Sequence, residues 1–130
     1  MRMVHNTPIS NLESYVKAKG ALPEKQAVSI FRDVVSAACV LYDRNITHRD
    51  IKAQNILLKN GVAKLADFGF AMRQSDCKKT SSYNVGSPVY MPPEALNENK
   101  YSFKSDIWAL GVIYYEMLTG KTPWRAKTEK

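Results

Sequence analysis

His48-Arg49-Asp50-Ile51-Lys52-Ala53-Gln54-Asn55 stands near the middle of the chain, and Asp67-Phe68-Gly69 begins twelve residues after Asn55. Taken singly, these residues have ordinary readings. Asp50 suits a turn cap, Asn55 suits a turn, and Lys52 is one surface lysine among many. Between the two runs lie two short apolar stretches, Ile56-Leu57-Leu58 and Val62 to Leu65. Lys59-Asn60-Gly61 joins them. That turn chemistry between apolar stretches predicts a small β-hairpin.

Working outward toward the N-terminus, the spacing predicts a helix from Glu24 to Tyr42. Ala27, Val28, Ile30, Phe31, Val34, Val35, Ala38 and Leu41 recur at intervals of three and four. Pro23 fits the entry to its first turn, and Asp43-Arg44-Asn45 ends it. A shorter helix is predicted from Asn11 to Lys19, with Ser10 as cap and Gly20 as stop. Residues 1–9 read as an irregular lead.

Toward the C-terminus, residues 70–90 hold Ser, Thr, Lys and Asn with few large aliphatics. They read as a long surface loop, which in a compact domain is functional or disordered. An unusually apolar helix follows from Ser105 to Leu118, with Ser105 suited to its start and Gly120 and Pro123 closing it. Its apolar residues run nearly all the way round, as in a helix buried at the centre of a fold.

Composition narrows the class. The 130 residues make one domain, and 45% hydrophobic with 24% charged residues excludes general disorder. No apolar run reaches the roughly 18 residues needed to span a bilayer. Met1 to Ser10 lacks the apolar core of a signal peptide. Cys39 and Cys77 are too few for a disulfide scaffold and lack metal-ligand spacing with either histidine. A cytoplasmic location, with a nuclear one as the other option, follows as the expectation. The net charge is +7 and the pI about 9.5. Such a balance favours anionic partners. No Lys/Arg run exceeds two residues, however, so the excess reads as solvated surface. The basic-aromatic interleaving of a single-strand binder is missing, and no specific nucleic-acid partner is expected.

Further along stand Gly86-Ser87-Pro88-Val89-Tyr90-Met91-Pro92-Pro93-Glu94 and Asp106-Ile107-Trp108-Ala109-Leu110-Gly111. With the octet at His48 and Asp67-Phe68-Gly69, these runs resemble the eukaryotic protein kinase family in order and spacing. The resemblance covers residues 3–124. It implies a mainly α fold with a small β-hairpin, namely the C-terminal lobe of a kinase, with residues 1–130 a partial catalytic domain. It implies ATP and Mg²⁺ as cofactors and a protein substrate with a Ser/Thr acceptor.

The residue roles implied by the resemblance have a chemical logic. Phosphoryl transfer is mostly positioning plus charge stabilisation. Asp50 stands where the family places the carboxylate that orients and accepts the hydroxyl proton. Lys52 stands where a cation steadies the transferring phosphate. Asn55 and Asp67 offer the hard oxygen ligands that Mg²⁺ takes. Leu57 resembles the residue beneath adenine, and it is equally a hairpin core residue. Val4 to Thr7 fall at the hinge. His48, Phe68 and Asp106 resemble the packed spine joining the catalytic loop to the apolar helix. Asp106 also suits the positive end of that helix and, by resemblance, receives backbone N–H groups from the loop. Lys52, and Ser87 at the position of a threonine that contacts Asp50 and Lys52, imply Ser/Thr specificity. Asp67-Phe68-Gly69-Phe70-Ala71 with Gly86-Ser87-Pro88 looks most like the autophagy-initiating kinase group.

Arg49 before the catalytic aspartate implies a switch operated by an activation-segment phosphate. Thr80, Ser81, Ser82 and Tyr83 lie in that segment. The usual phosphothreonine position falls on Tyr83, a departure that leaves Ser81 or Ser82 to substitute, or the switch absent. Pro92 replaces the usual alanine before Pro93-Glu94. The 130 residues contain no glycine-rich phosphate loop, strand lysine or helix glutamate of the family's N-terminal lobe. The helices that normally bury the apolar helix, and the arginine that normally pairs with Glu94, are also missing. Two functions are expected in competition: a Ser/Thr protein kinase, of which the isolated chain phosphorylates poorly, and a non-catalytic kinase-derived module that binds a protein.

Overall fold

The computed structural model describes residues 10–77 and 86–124. The order of elements is β1 (Ser10–Asn11), α1 (Leu12–Lys19), α2 (Glu24–Asp43), β2 (Ile46–Thr47), β3 (Ile56–Lys59), β4 (Val62–Leu65), β5 (Met72–Arg73), α3 (Pro93–Glu98) and α4 (Phe103–Thr119). The fold is mainly helical with two small antiparallel sheets.

The helices follow their sequence signals: α2 starts at Glu24 as expected, while α1 and α4 are shifted at the start. Asn11, not Ser10, caps α1, its side chain accepting from the Ser14 amide at 2.7 Å. Ser10 instead pairs in β1, opposite Leu58. Gly20 ends α1 with a positive φ of 78°, its amide donating to the Val16 carbonyl. α2 buries Ala27, Ile30, Val34 and Leu41, one stripe at helical spacing, and packs on β4 and α4. α4 starts at Phe103 with Ser102 as its cap. Ser105, expected as the cap, is the partner three residues on: its hydroxyl accepts from the Ser102 amide at 3.0 Å. Together they form a capping box that satisfies donors the helix itself cannot.

The predicted hairpin is present. β3 pairs with β4 from Ile56↔Leu65 to Lys59↔Val62, so the loop is the two residues Asn60-Gly61. Both have positive φ, 54° and 80°, as a type I′ turn demands. The expectation of a plain surface loop over 70–90 is corrected within its described part. β5 pairs with β2, Ile46↔Arg73 and Thr47↔Met72, and Cys77 is buried with Met91, Ala95 and Tyr101. Ser81 and Ser82, and the expected hinge at Val4 to Thr7, lie outside the described residues.

The larger of two buried clusters joins α1, α2, β3 and α4. Leu12, Val16, Ile30, Val34, Ile56, Ile113 and Met117 meet in it, and Leu22 donates its amide to the Met117 carbonyl at 2.8 Å. α4 is buried along Ala109, Leu110, Val112, Ile113 and Met117. Its other side is exposed, with Ile107 at 53% and Trp108 at 40%. The expectation of a helix buried all round therefore holds for half its circumference among the described residues. No helix among them is long and apolar enough to cross a membrane.

Candidate active site

The octet forms a tight loop between β2 and β3, held from three directions. Asp106 in the first turn of α4 holds it from below. Its Oδ2 accepts from the His48 amide at 2.8 Å and its Oδ1 from the Arg49 amide at 3.1 Å. Burial pushes the Asp106 carboxyl above its ordinary pKa, and these two donors oppose that shift. His48 is fully buried and its tautomer follows from its partners. Nδ1 accepts from the Asp50 amide at 3.1 Å, so Nε2 carries the proton and donates to the Ala66 carbonyl at 3.0 Å. The His48 ring meets Phe68 edge-on at 5.0 Å. Arg49 within the loop has a positive φ of 71°, and Asp67, which follows β4, has one of 58°. Such conformations store strain of order 1–3 kcal/mol each and cluster at functional sites.

Asp50 is buried and clasped. Asn55 Nδ2 donates to its backbone carbonyl at 2.8 Å and to its Oδ2 at 3.2 Å. Oδ1 is buried with no hydrogen-bond partner; Lys52 Nζ lies 3.8 Å away, an ion pair rather than a hydrogen bond. Burial raises the Asp50 pKa, opposed by Lys52, the Asn55 hydrogen bond and His48, and assisted by Asp67. A carboxylate with a free oxygen and a pKa raised by burial is a better proton acceptor than an ordinary surface carboxylate.

Lys52 also donates to Ser87 Oγ at 3.0 Å. One lysine thus bridges the aspartate and the Gly86-Ser87-Pro88 run. Gly86 makes that approach possible. Its φ is 94°, and a Cβ there would lie 2.7 Å from the Arg49 carbonyl oxygen. Asn55 spends its amide nitrogen on Asp50 and so offers its amide oxygen as a ligand. Asp67 is exposed, with Oδ1 accepting from the Gly69 amide at 3.2 Å. The described residues hold no cluster of three or more His, Cys, Asp or Glu fit for a metal. An amide oxygen and one carboxylate suit Mg²⁺, which keeps waters and substrate phosphates in its shell rather than an all-protein cage. Leu57 is half-buried on β3, opposite Asn11 and Lys64, on the face away from Ile56 and Leu58. Arg49 donates to the Phe70 carbonyl at 2.8 Å and lies over the Tyr101 ring, 5.3 Å from its centroid.

The geometry adds two features that sequence reading missed. Tyr90 donates its hydroxyl to Glu116 Oε1 at 2.6 Å, fastening the run after Ser87 to α4. Burial and the adjacent carboxylate hold the Tyr90 phenol far above its ordinary pKa, so it stays the donor. The signal was a glutamate within an otherwise apolar helix. The other feature is Gln74, which no motif marks.

These positions carry the signature of a known family. Residues 1–130 match the protein kinase domain across their whole length. The chain belongs to the protein kinase domain family. It is 37% identical over 123 residues to the serine/threonine-protein kinase ATG1b of Arabidopsis thaliana, covering 92% of this chain and 17% of that protein. It is 39% identical over 121 residues to the serine/threonine-protein kinase ULK3 of Homo sapiens, covering 91% and 25%. It is 38% identical over 110 residues to the serine/threonine-protein kinase ppk11 of Schizosaccharomyces pombe, covering 84% and 35%. The chain therefore spans about a third or less of the length of these relatives.

Proposed function

We propose that residues 1–130 form the C-terminal lobe of a kinase catalytic domain, from the hinge through the central helix, and that the domain phosphorylates Ser or Thr in proteins. The bridge from Lys52 to both Asp50 and Ser87 carries this reading. Asp50 orients the acceptor hydroxyl and takes its proton as the hydroxyl oxygen bonds to the γ-phosphorus of ATP. The bond from that phosphorus to the bridging oxygen breaks, and ADP leaves. Lys52 neutralises the transferring phosphoryl oxygens, and Ser87 holds Lys52 in place. Asn55 and Asp67 would hold Mg²⁺, which supplies charge neutralisation on the phosphates when bound. Leu57 packs under adenine. Arg49 has further guanidinium donors beyond the one given to Phe70, suited to a phosphate on Ser81 or Ser82. A cytoplasmic or nuclear site of action goes with this reading, and the likeness to ATG1b favours the autophagy-initiating group.

The test is phosphate transfer from labelled ATP to protein substrates by the full-length protein, with Asp50→Asn as control. Transfer lost in the variant supports the reading; transfer retained at the wild-type rate sinks it. The 130 residues alone, lacking a glycine-rich loop, are expected to turn over weakly. The second reading is a non-catalytic module, favoured by the exposed apolar face of α4. Under it, partner binding survives Asp50→Asn and no transfer is found in the wild type.

A further inference from the structure

One side-chain oxygen joins three parts of this molecule. Gln74 Oε1 accepts from Thr47 Oγ1 at 2.6 Å and from the Phe103 amide at 3.1 Å. Because the Phe103 amide can only donate, the Gln74 atom facing it must be the oxygen, which fixes the orientation of the carboxamide. Phe103 is the first residue of α4, so its N–H has no partner inside the helix. Thr47 is fully buried on β2, immediately before His48. Gln74 itself follows β5, and its own amide donates to the Asn45 carbonyl at 2.7 Å. The segment leaving Asp67-Phe68-Gly69, the strand entering the catalytic loop and the start of the central helix therefore meet at Gln74.

Asp106 completes the arrangement. It grips His48 and Arg49 from the same first turn of α4 whose leading amide Gln74 caps. Residues 45, 47, 48 and 49 are thus each held, two by Gln74 and two by Asp106. If the segment around 72–77 undocked, a buried hydroxyl and a helix-end amide would lose their acceptor together. Both are costly to leave unpaired, so the docked and undocked arrangements differ sharply.

We propose that Gln74 is a positioning residue, through whose side-chain oxygen the activation segment must dock for the catalytic loop to hold Asp50 in place. Its consequence for catalysis rests on the phosphotransfer reading above; the coupling between segment and loop does not. Gln74 touches none of the reacting groups. It acts through Thr47 and α4.

The experiment compares three forms of the full-length protein: wild type, Gln74→Met and Gln74→Glu. Methionine keeps the length and removes the acceptor. Glutamate keeps an acceptor oxygen, and its charge suits the start of a helix. Amide hydrogen exchange is read at residues 46–50 and, as reference, along α1. Turnover is read as kcat and KM for ATP. In Gln74→Met, exchange at His48 and Arg49 should quicken about tenfold or more while α1 is unchanged. The kcat should fall about tenfold with KM for ATP within about twofold. Gln74→Glu should restore both. Thr47→Val added to Gln74→Met should cost little more, because the two share one bond. Unchanged exchange at His48 and Arg49 in Gln74→Met would overturn the proposal. So would a uniform quickening that includes α1, or a Gln74→Glu form no better than Gln74→Met. If the wild type transfers no phosphate, the kinase reading fails, and the exchange comparison still decides the coupling.

Discussion

At Asp50 the demands of folding and of chemistry oppose each other. Burial raises the pKa of its carboxyl. The protonated form therefore fits the folded state better, and the stability it contributes is lost as pH rises through that raised value. At neutral pH the charged form is a burden that catalysis needs. Asp50→Asn should therefore leave the melting temperature unchanged or higher at pH 7, while phosphotransfer falls more than about a hundredfold. A clear drop in melting temperature would contradict the burial argument. The acid limb of the kcat/KM profile should lie above the ordinary carboxylate pKa of about 4. Gly86 is constrained in another way. A methyl group there would meet the Arg49 carbonyl at 2.7 Å, on backbone with φ of 94°. Gly86→Ala should cost about 1–3 kcal/mol in chemical denaturation and reduce turnover by moving Ser87 away from Lys52. The octet and its partners were readable because each residue type has few chemical uses in that order. Tyr90, Glu116 and Gln74 were not, since a lone Tyr, Glu or Gln has many uses and only its partner selects one.

Among the elements, α4 does the most organising. It receives the catalytic loop on Asp106 and the segment after Ser87 on Glu116. The Glu116 carboxyl is raised by burial and lowered by the Tyr90 hydroxyl. Tyr90→Phe removes that donor and leaves a buried carboxylate unpaired, a loss of about 1–3 kcal/mol in denaturant titration at pH 7. Glu116→Gln keeps an acceptor for Tyr90 and removes the buried charge, so it should cost less than Tyr90→Phe. The reverse order would show that Glu116 draws its stability from elsewhere. Asp106→Asn should be severe, since His48 and Arg49 donate to different oxygens of Asp106, and the amide replaces one of these with an NH2 group that can only donate. Its expected signature is faster exchange of those two amides with α1 protected. Local patterns made α2 and the hairpin legible: an apolar stripe at helical spacing, and Asn60-Gly61 between apolar runs. β5 was illegible because two residues, Met72 and Arg73, carry no period. Their strand exists only through β2, far away in sequence.

For the molecule as a whole, the exposed half of α4 carries Ile107, Tyr115 and Leu118. An apolar face of this kind promotes association. The 130-residue chain alone should self-associate with rising concentration in sedimentation velocity. Ile107→Lys with Leu118→Lys should suppress this without lowering the melting temperature. A chain that stays monomeric at high concentration would count against it. The order of motifs along the sequence by itself determined the family, the helical core and the residues around Asp50, because motif spacing and apolar period are properties of neighbouring residues. The tertiary structure alone decided what those residues are held by. The Lys52 bridge, the close pass of Gly86, the Tyr90–Glu116 bond and the junction at Gln74 each join positions 26 or more residues apart, or backbone to backbone at van der Waals limits. Such contacts follow from how the elements pack, and no local pattern encodes them.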